Sequence, residues 1–213
     1  MEFGRLIEIV SDAPLFETGI LLAGSAHPAD VRRQLSRWTK TGNLYQLRRG
    51  LYALAPPYQK IKPHPFVVAN RIVAGSYVSL QSALAHYGLI PEYVPITTSV
   101  TVKRPARWET PLGVYEFRHL KSQLLRGYRL TELGGGQTAF VATPEKALLD
   151  LIYLQPAGDS PDYLRELRLQ NLDRLNQDEL RHQVELSHSP KLGRALASLA
   201  AMARAESSEF ETL

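Results

Sequence analysis

The chain has 213 residues, with 25 Lys and Arg against 21 Asp and Glu, and it contains no cysteine. The missing cysteine excludes disulfides, thiolate zinc sites and cysteine nucleophiles. Acidic residues near the N-terminus and the lack of a long apolar run predict neither a secretory signal nor a membrane partner, so we expect a cytoplasmic protein.

Positive charge is concentrated in the first two thirds of the chain. Residues 1–60 carry eight basic and five acidic side chains, residues 61–154 carry ten and six, and residues 155–213 carry seven and ten. The excess is greatest in residues 28–49, where six basic residues accompany Asp30 alone. Such a local asymmetry indicates a polyanionic partner.

Hydrophobic spacing predicts three helices and a hairpin at the N-terminus. The first helix spans residues 2–11, and the second spans residues 15–23 and ends at Gly24. The third helix begins at Pro28, a residue suited to a first helical turn, and ends near Lys40. The segments NLYQL and LYAL flank RRG, a pattern that predicts a β-hairpin with a glycine in its tight turn.

The third predicted helix separates basic from apolar side chains. At about 100° per residue, Val31, Leu35 and Trp38 share one face. The opposite face carries polar and basic groups, namely Arg32, Arg33, Ser36, Arg37 and Lys40. We expect the apolar face to pack on the preceding helices, with Arg48 and Arg49 at the hairpin tip. The order of helix, helix, basic helix and basic hairpin is that of a winged helix-turn-helix, which contacts phosphates and base edges of DNA. The alternative is a basic face that is only solvated.

The proline-rich segment APPYQKIKPHP predicts a boundary between residues 1–57 and a larger domain of residues 58–213. Up to about residue 154 this domain mixes helices, in FVVANRIV and SLQSALAHYG, with strands, in ITTSVTV, GVYEFRHL and TAFVA. TPEKALLDLIYL predicts a helix with Thr143 as its N-cap. Residues 155–213 predict two or three helices and no strand. The expected fold class is therefore α+β, with an N-terminal winged helix-turn-helix, a mixed α/β domain and a helical C-terminal tail.

The sequence contains no recognisable catalytic or metal-binding motif. The six histidines lack the spacing of a metal pair on one helix, and no nucleophile elbow surrounds the serines that precede His86. The three glycines at 134–136 lack the frame of a phosphate-binding loop and predict a turn. Ser79 predicts a helix N-cap, and Glu145 and Asp150 do not share a helix face. We therefore predict no enzyme activity, no metal and no cofactor.

Three sequence blocks resemble the AbiEi family of antitoxins from type IV toxin-antitoxin systems. They are RRQLSRWTKTGNLYQLRRGLYALAP, then SLQSALAHYGLIPEYVP with ITTSVTVKRP, and finally FVATPEKALLDLIYL. The resemblance covers residues 1 to about 154 and leaves the acidic tail unmatched. It implies a winged helix that binds inverted repeats in double-stranded operator DNA and represses its own operon. It also implies a C-terminal domain, residues 58–213, that counteracts a cognate nucleotidyltransferase toxin, with or without direct contact.

Carried onto this chain, the resemblance makes the basic face of the third helix the reading surface and the two hairpin arginines the wing contacts. A second basic set lies further along, and it consists of Lys103, Arg104, Arg107, Arg118, Lys121, Arg126 and Arg129. This set is either a solvated surface or a functional one. As a functional surface it would extend the DNA footprint, hold a neighbouring protomer's acidic tail, or contact the toxin or an RNA that the toxin modifies.

The sequence leaves a second functional hypothesis open. A winged-helix transcription factor whose second domain senses a small molecule would show the same N-terminal pattern. The oligomeric state is also open, because inverted repeats suit either a dimer or two monomers on adjacent sites.

Overall fold

The computed structural model describes residues 1–22 and 27–210, and it describes side chains as far as residue 201. The chain is a mixture of helices and strands, which confirms the α+β class at that level. The helices are α1 (Phe3–Val10), α2 (Thr18–Leu22), α3 (Pro28–Lys40), α4 (Pro65–Ile72), α5 (Leu80–His86), α6 (Pro144–Leu154), α7 (Pro161–Glu166), α8 (Gln177–Ser187) and α9 (Pro190–Phe210). The strands are β1 (Phe16–Glu17), β2 (Leu44–Arg48), β3 (Leu51–Leu54), β4 (Tyr77–Val78), β5 (Ile96–Thr101), β6 (Ala106–Thr110), β7 (Gly113–His119), β8 (Tyr128–Glu132) and β9 (Thr138–Ala142).

The N-terminal unit packs α1, α2 and α3 against a small antiparallel sheet with strand order β1-β3-β2. The prediction of a helix over residues 15–23 is wrong at its beginning, because Phe16 pairs with Tyr52 in the sheet and the two rings stack at 5.7 Å. Burial of this aromatic pair outweighs the local helical pattern. The predicted end of that helix at Gly24 lies outside the described residues.

Helix α3 and the β2–β3 hairpin form as the sequence predicts. Val31, Leu35 and Trp38 are buried on one side of α3, in a core shared with α1. The hairpin turn contains Gly50 at φ +84°, a left-handed conformation that glycine adopts without steric cost.

The second sheet has six strands in the order β6-β7-β5-β4-β9-β8. Strand β5 runs parallel to β7 and β4 runs parallel to β9, and the remaining neighbours are antiparallel. The predicted strands β5, β7 and β9 are confirmed, whereas β4, β6 and β8 were not predicted. The three glycines at 134–136 form the turn between β8 and β9, as predicted, and all three have positive φ.

Helices α4, α5 and α6 pack on this sheet and contribute to its core. Helix α6 begins as predicted, with the Thr143 hydroxyl accepting a hydrogen bond from the Lys146 amide at 3.3 Å. The described part of the tail contains helices and no strand, in agreement with the sequence pattern. Lys191 in α9 donates to the carbonyl oxygens of Tyr153, at 3.2 Å, and Gln155. It thereby satisfies carbonyls at the C-terminal end of α6.

The hairpin contributes side chains to both hydrophobic cores. Leu44 and Leu54 pack in the N-terminal core, whereas Leu47 and Leu51 pack in the core of the six-stranded sheet. The β2–β3 hairpin therefore connects the N-terminal unit to the second sheet through packing as well as through the chain.

Candidate nucleic-acid interface

Helix α3 presents one continuous polar and basic face to solvent. We call it the α3 surface, and its exposed members are Arg32, Arg33, Ser36, Arg37 and Lys40. Arg33 lies 3.6 Å from Asp30 in an exposed, weak ion pair. The Arg37 guanidinium lies 6.0 Å from the centre of the Trp38 ring. Among the described residues, Arg32 and Lys40 form no ion pair, so their charges are available to an external anion.

The two hairpin arginines differ in their surroundings. Arg49 is exposed, but Arg48 bends back and donates to the Arg71 carbonyl at 3.1 Å, with Glu17 at 3.5 Å. The β2–β3 register shifts between Gln46 and Arg48, and such a bulge re-aims the side chain that follows it. The expectation that both arginines point away from the hairpin therefore fits Arg49 alone, and Arg48 joins the hairpin to α4.

The second basic set is dispersed over the sheet. Arg107 pairs with Glu109 at 3.2 Å, and Arg118 pairs with Glu116 at 3.5 Å. Arg126 donates to the Leu186 carbonyl at 2.9 Å and so holds the tail. The exposed residues Lys103 and Arg104 follow β5, Lys121 follows β7, and Arg129 lies in β8.

The sheet order separates the members of this set. Arg107 lies in β6 and Arg129 lies in β8, at opposite edges of the six-stranded sheet. With a strand spacing of about 4.8 Å, these edges are about 24 Å apart. The seven residues do not form one compact patch comparable to the α3 surface.

A cluster of polar groups lies buried where β4, α5 and α6 meet. We call it the buried polar cluster, and it consists of Tyr77, Ser79, Lys146 and Asp150. Lys146 and Asp150 form an ion pair at 2.5 Å, with side chains 7% and 1% exposed. The other Asp150 oxygen accepts hydrogen bonds from Ser79 at 2.8 Å and from Tyr77 at 3.0 Å. The protein itself therefore supplies one ammonium group and two hydroxyl donors to this buried carboxylate.

Burial dominates the electrostatics of this cluster. It raises the pKa of the Asp150 carboxyl, while the Lys146 ammonium and the Ser79 and Tyr77 hydroxyls act in the opposite direction. The pKa of the Tyr77 hydroxyl is also raised, first by burial and then by the Asp150 carboxylate. These groups are closed to solvent, so the geometry fits a structural role in joining the sheet to α6.

Sequence reasoning missed the buried polar cluster. Ser79 does occupy the N-cap position of α5, but its hydroxyl donates to Asp150 and makes no capping bond. Lys146 and Asp150 stand four residues apart on a helix that is otherwise largely apolar, and this spacing places them on one face. That spacing is the signal in the sequence that indicates such a pair.

The second sheet also borders a cavity of about 560 Å³. Apolar side chains from α5, β5 and the loop between them form much of its wall, with polar groups that include Glu116, Arg118, Tyr163 and Glu166. Leu80 in this wall has φ +58°, a left-handed conformation that is strained for a residue with a bulky side chain. The volume lies within the range of small-molecule pockets.

Other classes of site find little support among the residues that the structure describes. In those ranges no helix is both long enough and apolar enough to cross a membrane. The same ranges hold no group of three His, Asp or Glu side chains arranged to bind a metal ion. No protein-family model matches the chain, and no curated protein shows significant similarity to it.

Proposed function

We propose that residues 1–57 are a winged helix-turn-helix that binds double-stranded DNA. The order of α1, β1, α2, α3 and the β2–β3 hairpin supports this assignment, since α3 then occupies the position of a recognition helix. The hairpin takes the position of the wing, and Arg49 is its free cationic side chain. No catalytic step is assigned to the chain.

The observation that carries the proposal is the exposure of the α3 surface. A helix about 10–12 Å across fits a major groove about 12 Å wide. Arg32 and Arg37 then face phosphates or base edges, while Trp38 holds the helix on the core behind them. Arginine suits this role because its planar fork binds phosphate and guanine edges through two hydrogen bonds.

A footprint on the DNA upstream of the gene tests the DNA-binding proposal. We expect the wild-type chain to protect an inverted repeat, and the Arg32→Ala/Arg33→Ala/Arg37→Ala variant to leave it unprotected with its circular dichroism spectrum unchanged. Neutralisation of about five phosphates gives a log–log salt slope of about −4 to −5. Affinity that does not change with salt, or protection by the folded triple variant, contradicts the proposal.

We further propose that the chain is an antitoxin that represses its own operon and counteracts a nucleotidyltransferase toxin. This half of the proposal depends on the resemblance of the three sequence blocks to AbiEi antitoxins. If the product of an adjacent nucleotidyltransferase gene arrests growth when it is expressed alone, co-expression of this chain should restore growth. Failure of rescue, or the absence of such a neighbouring gene, contradicts the antitoxin role and leaves the DNA-binding proposal standing.

The cavity beside the second sheet favours an alternative, in which a small molecule controls a winged-helix transcription factor. Its volume of about 560 Å³ and its mixed apolar and charged wall suit a metabolite. A thermal-shift screen of metabolites, followed by DNA-release measurements with each hit, separates the alternatives. A compound that both raises the melting temperature and releases DNA supports the sensor, and rescue of growth from a toxin supports the antitoxin.

A further inference from the structure

Strands β8 and β9 expose a continuous apolar surface. We call it the β8 surface, and it consists of Tyr128, Leu130 and Phe140, which are 40%, 60% and 45% exposed. Leu130 stands directly opposite Phe140 in the β8–β9 register, and the Phe140 ring meets the Tyr128 ring edge-on at 5.8 Å. Tyr128 in turn stacks on the buried Tyr77 at 4.5 Å, which anchors the surface to the core. Apolar side chains clustered in this way on the exterior mark interaction sites.

The two edges of the six-stranded sheet differ in how well they are protected against pairing with another strand. Edge strand β6 lies between Pro105 and Pro111 and carries the paired charges of Arg107 and Glu109, and β2 lies close to it. Prolines, charges and a covering element are the usual protections of a sheet edge. Edge strand β8 has β9 as its one neighbour among the described strands, and Leu130 projects from its centre. The β8 edge is therefore open to pairing through its backbone.

We propose that two copies of this chain associate by antiparallel pairing of their β8 strands around a twofold axis. Side chains that stand opposite each other in such a pair lie on the same face of the sheet. A register centred on Leu130 meets this requirement, and it joins the β8 surfaces of the two copies into one. The result is a single sheet that runs through both protomers and buries Leu130 of each copy against the other.

Charge complementarity favours a second copy as the occupant of this edge. Side chains alternate between the two faces of a strand, so Glu132 projects from the same face as Tyr128 and Leu130, whereas Arg129 projects from the other. In the register centred on Leu130, each Glu132 stands opposite Tyr128 of the other copy, which lines a 420 Å³ cavity together with Arg71. The pairing therefore brings an acidic side chain to a cavity that has a cationic side chain in its wall. The twofold axis repeats this contact on both sides of the interface.

The oligomeric state of the full chain tests this inference without DNA, so its outcome is independent of the proposed DNA binding. Light scattering after gel filtration, from about 1 to 100 µM protein, should show a shift from the mass of one chain to that of two. Leu130→Lys should raise the dissociation constant at least about tenfold, because it places a charge at the centre of the interface. Val102→Lys, a matched change of an exposed apolar residue after β5, should leave the dimer unchanged.

A charge swap provides a second, more specific measurement. Glu132→Arg alone should weaken the dimer by placing a cation beside Arg71 of the other copy, and Arg71→Glu/Glu132→Arg should restore it. Hydrogen exchange of the β8 amides should also slow as protein concentration rises. A wild-type chain that stays monomeric at about 100 µM overturns the proposal and leaves the β8 surface to a different protein. A dimer that survives Leu130→Lys overturns it as well.

Discussion

The α3 surface and the buried polar cluster place positively charged side chains in opposite environments. On α3, Arg32 and Lys40 extend into solvent and form no ion pair with the described residues. In the cluster, Lys146 is buried and bonded to Asp150, which two hydroxyl groups also hold. An exposed charge costs little in folding and stays available to a partner, whereas a buried charge requires a partner within the fold. Substitutions in the two regions should therefore separate stability from DNA binding.

Lys146→Met is the change with the largest expected effect. It leaves the Asp150 carboxylate buried without its cation, so we expect the free energy of unfolding to fall by about 3–5 kcal/mol in urea denaturation. The Lys146→Met/Asp150→Asn variant removes both charges and should recover more than half of that loss. DNA affinity of the folded fraction should stay at the wild-type value. A single variant within about 1 kcal/mol of wild type contradicts the assigned role of the pair.

The triple alanine variant of Arg32, Arg33 and Arg37 should show the reverse pattern. We expect operator affinity to fall about 100-fold, because three cationic contacts are lost. The free energy of unfolding should change by less than about 1 kcal/mol, since the side chains are exposed. A matched control, Arg165→Ala/Arg168→Ala/Arg181→Ala, removes the same charge from exposed tail positions. If the control loses as much affinity in a mobility-shift titration, net charge and not the α3 surface is responsible.

Arg48 and Arg49 are adjacent residues that show the same contrast, because Arg48 is bonded within the fold and Arg49 is exposed. Arg48→Ala removes the hydrogen bond to the Arg71 carbonyl, and we expect a loss of about 1–2 kcal/mol in unfolding free energy. Arg49→Ala should leave stability within about 0.5 kcal/mol and weaken DNA binding by a few-fold. Denaturation and mobility-shift titrations of both variants check this. Equal stability losses contradict the separation of a structural from an exposed arginine.

The smallest expected effect concerns His64, a half-buried side chain at the N-cap of α4. Burial lowers its pKa, the His86 imidazole lowers it further, and Nδ1 accepts a hydrogen bond from the Phe66 amide at 3.2 Å. The unfolded chain then binds the proton more readily, so this contribution to stability is full above the ordinary value of 6.5 and is lost as the pH falls through the folded pKa.

His64→Asn keeps a capping acceptor that does not titrate. We therefore expect the free energy of unfolding to fall less steeply below about pH 6.5 in the variant than in the wild type. Urea denaturation at several pH values measures the two slopes. Identical slopes contradict the role of His64, and His86, whose pKa burial also lowers, is the second position to substitute.

Local patterns predicted the elements whose signals are contained in a few residues. Pro28 and the apolar spacing of Val31, Leu35 and Trp38 predicted α3, and Thr143 predicted the beginning of α6. Strands β4 and β8 were missed for a different reason. A two-residue strand such as β4 has no period of its own, and the alternation of apolar and polar residues in β8 covers only Tyr128 to Thr131, the shortest run that indicates a strand.

For the candidate site as well, the sequence predicted some features and only the fold revealed the others. Helical geometry alone placed Arg32, Arg33 and Arg37 on one face, because side-chain direction in a helix follows from position. Nothing near Arg48 in the chain indicates its partner, since Arg71 lies on another element and the bulge that turns the side chain is a property of the hairpin. The dispersal of the second basic set depends likewise on strand order, which sequence distance does not reveal.

The sequence by itself determined the charge asymmetry, the amphipathic α3 and the hairpin that follows it, because each depends on neighbours within one or two turns of chain. The tertiary structure alone decided which arginines are free, that Asp150 joins β4, α5 and α6, and that β8 remains an open edge. Those properties depend on contacts between residues far apart in the chain, and the packing of the complete core selects them.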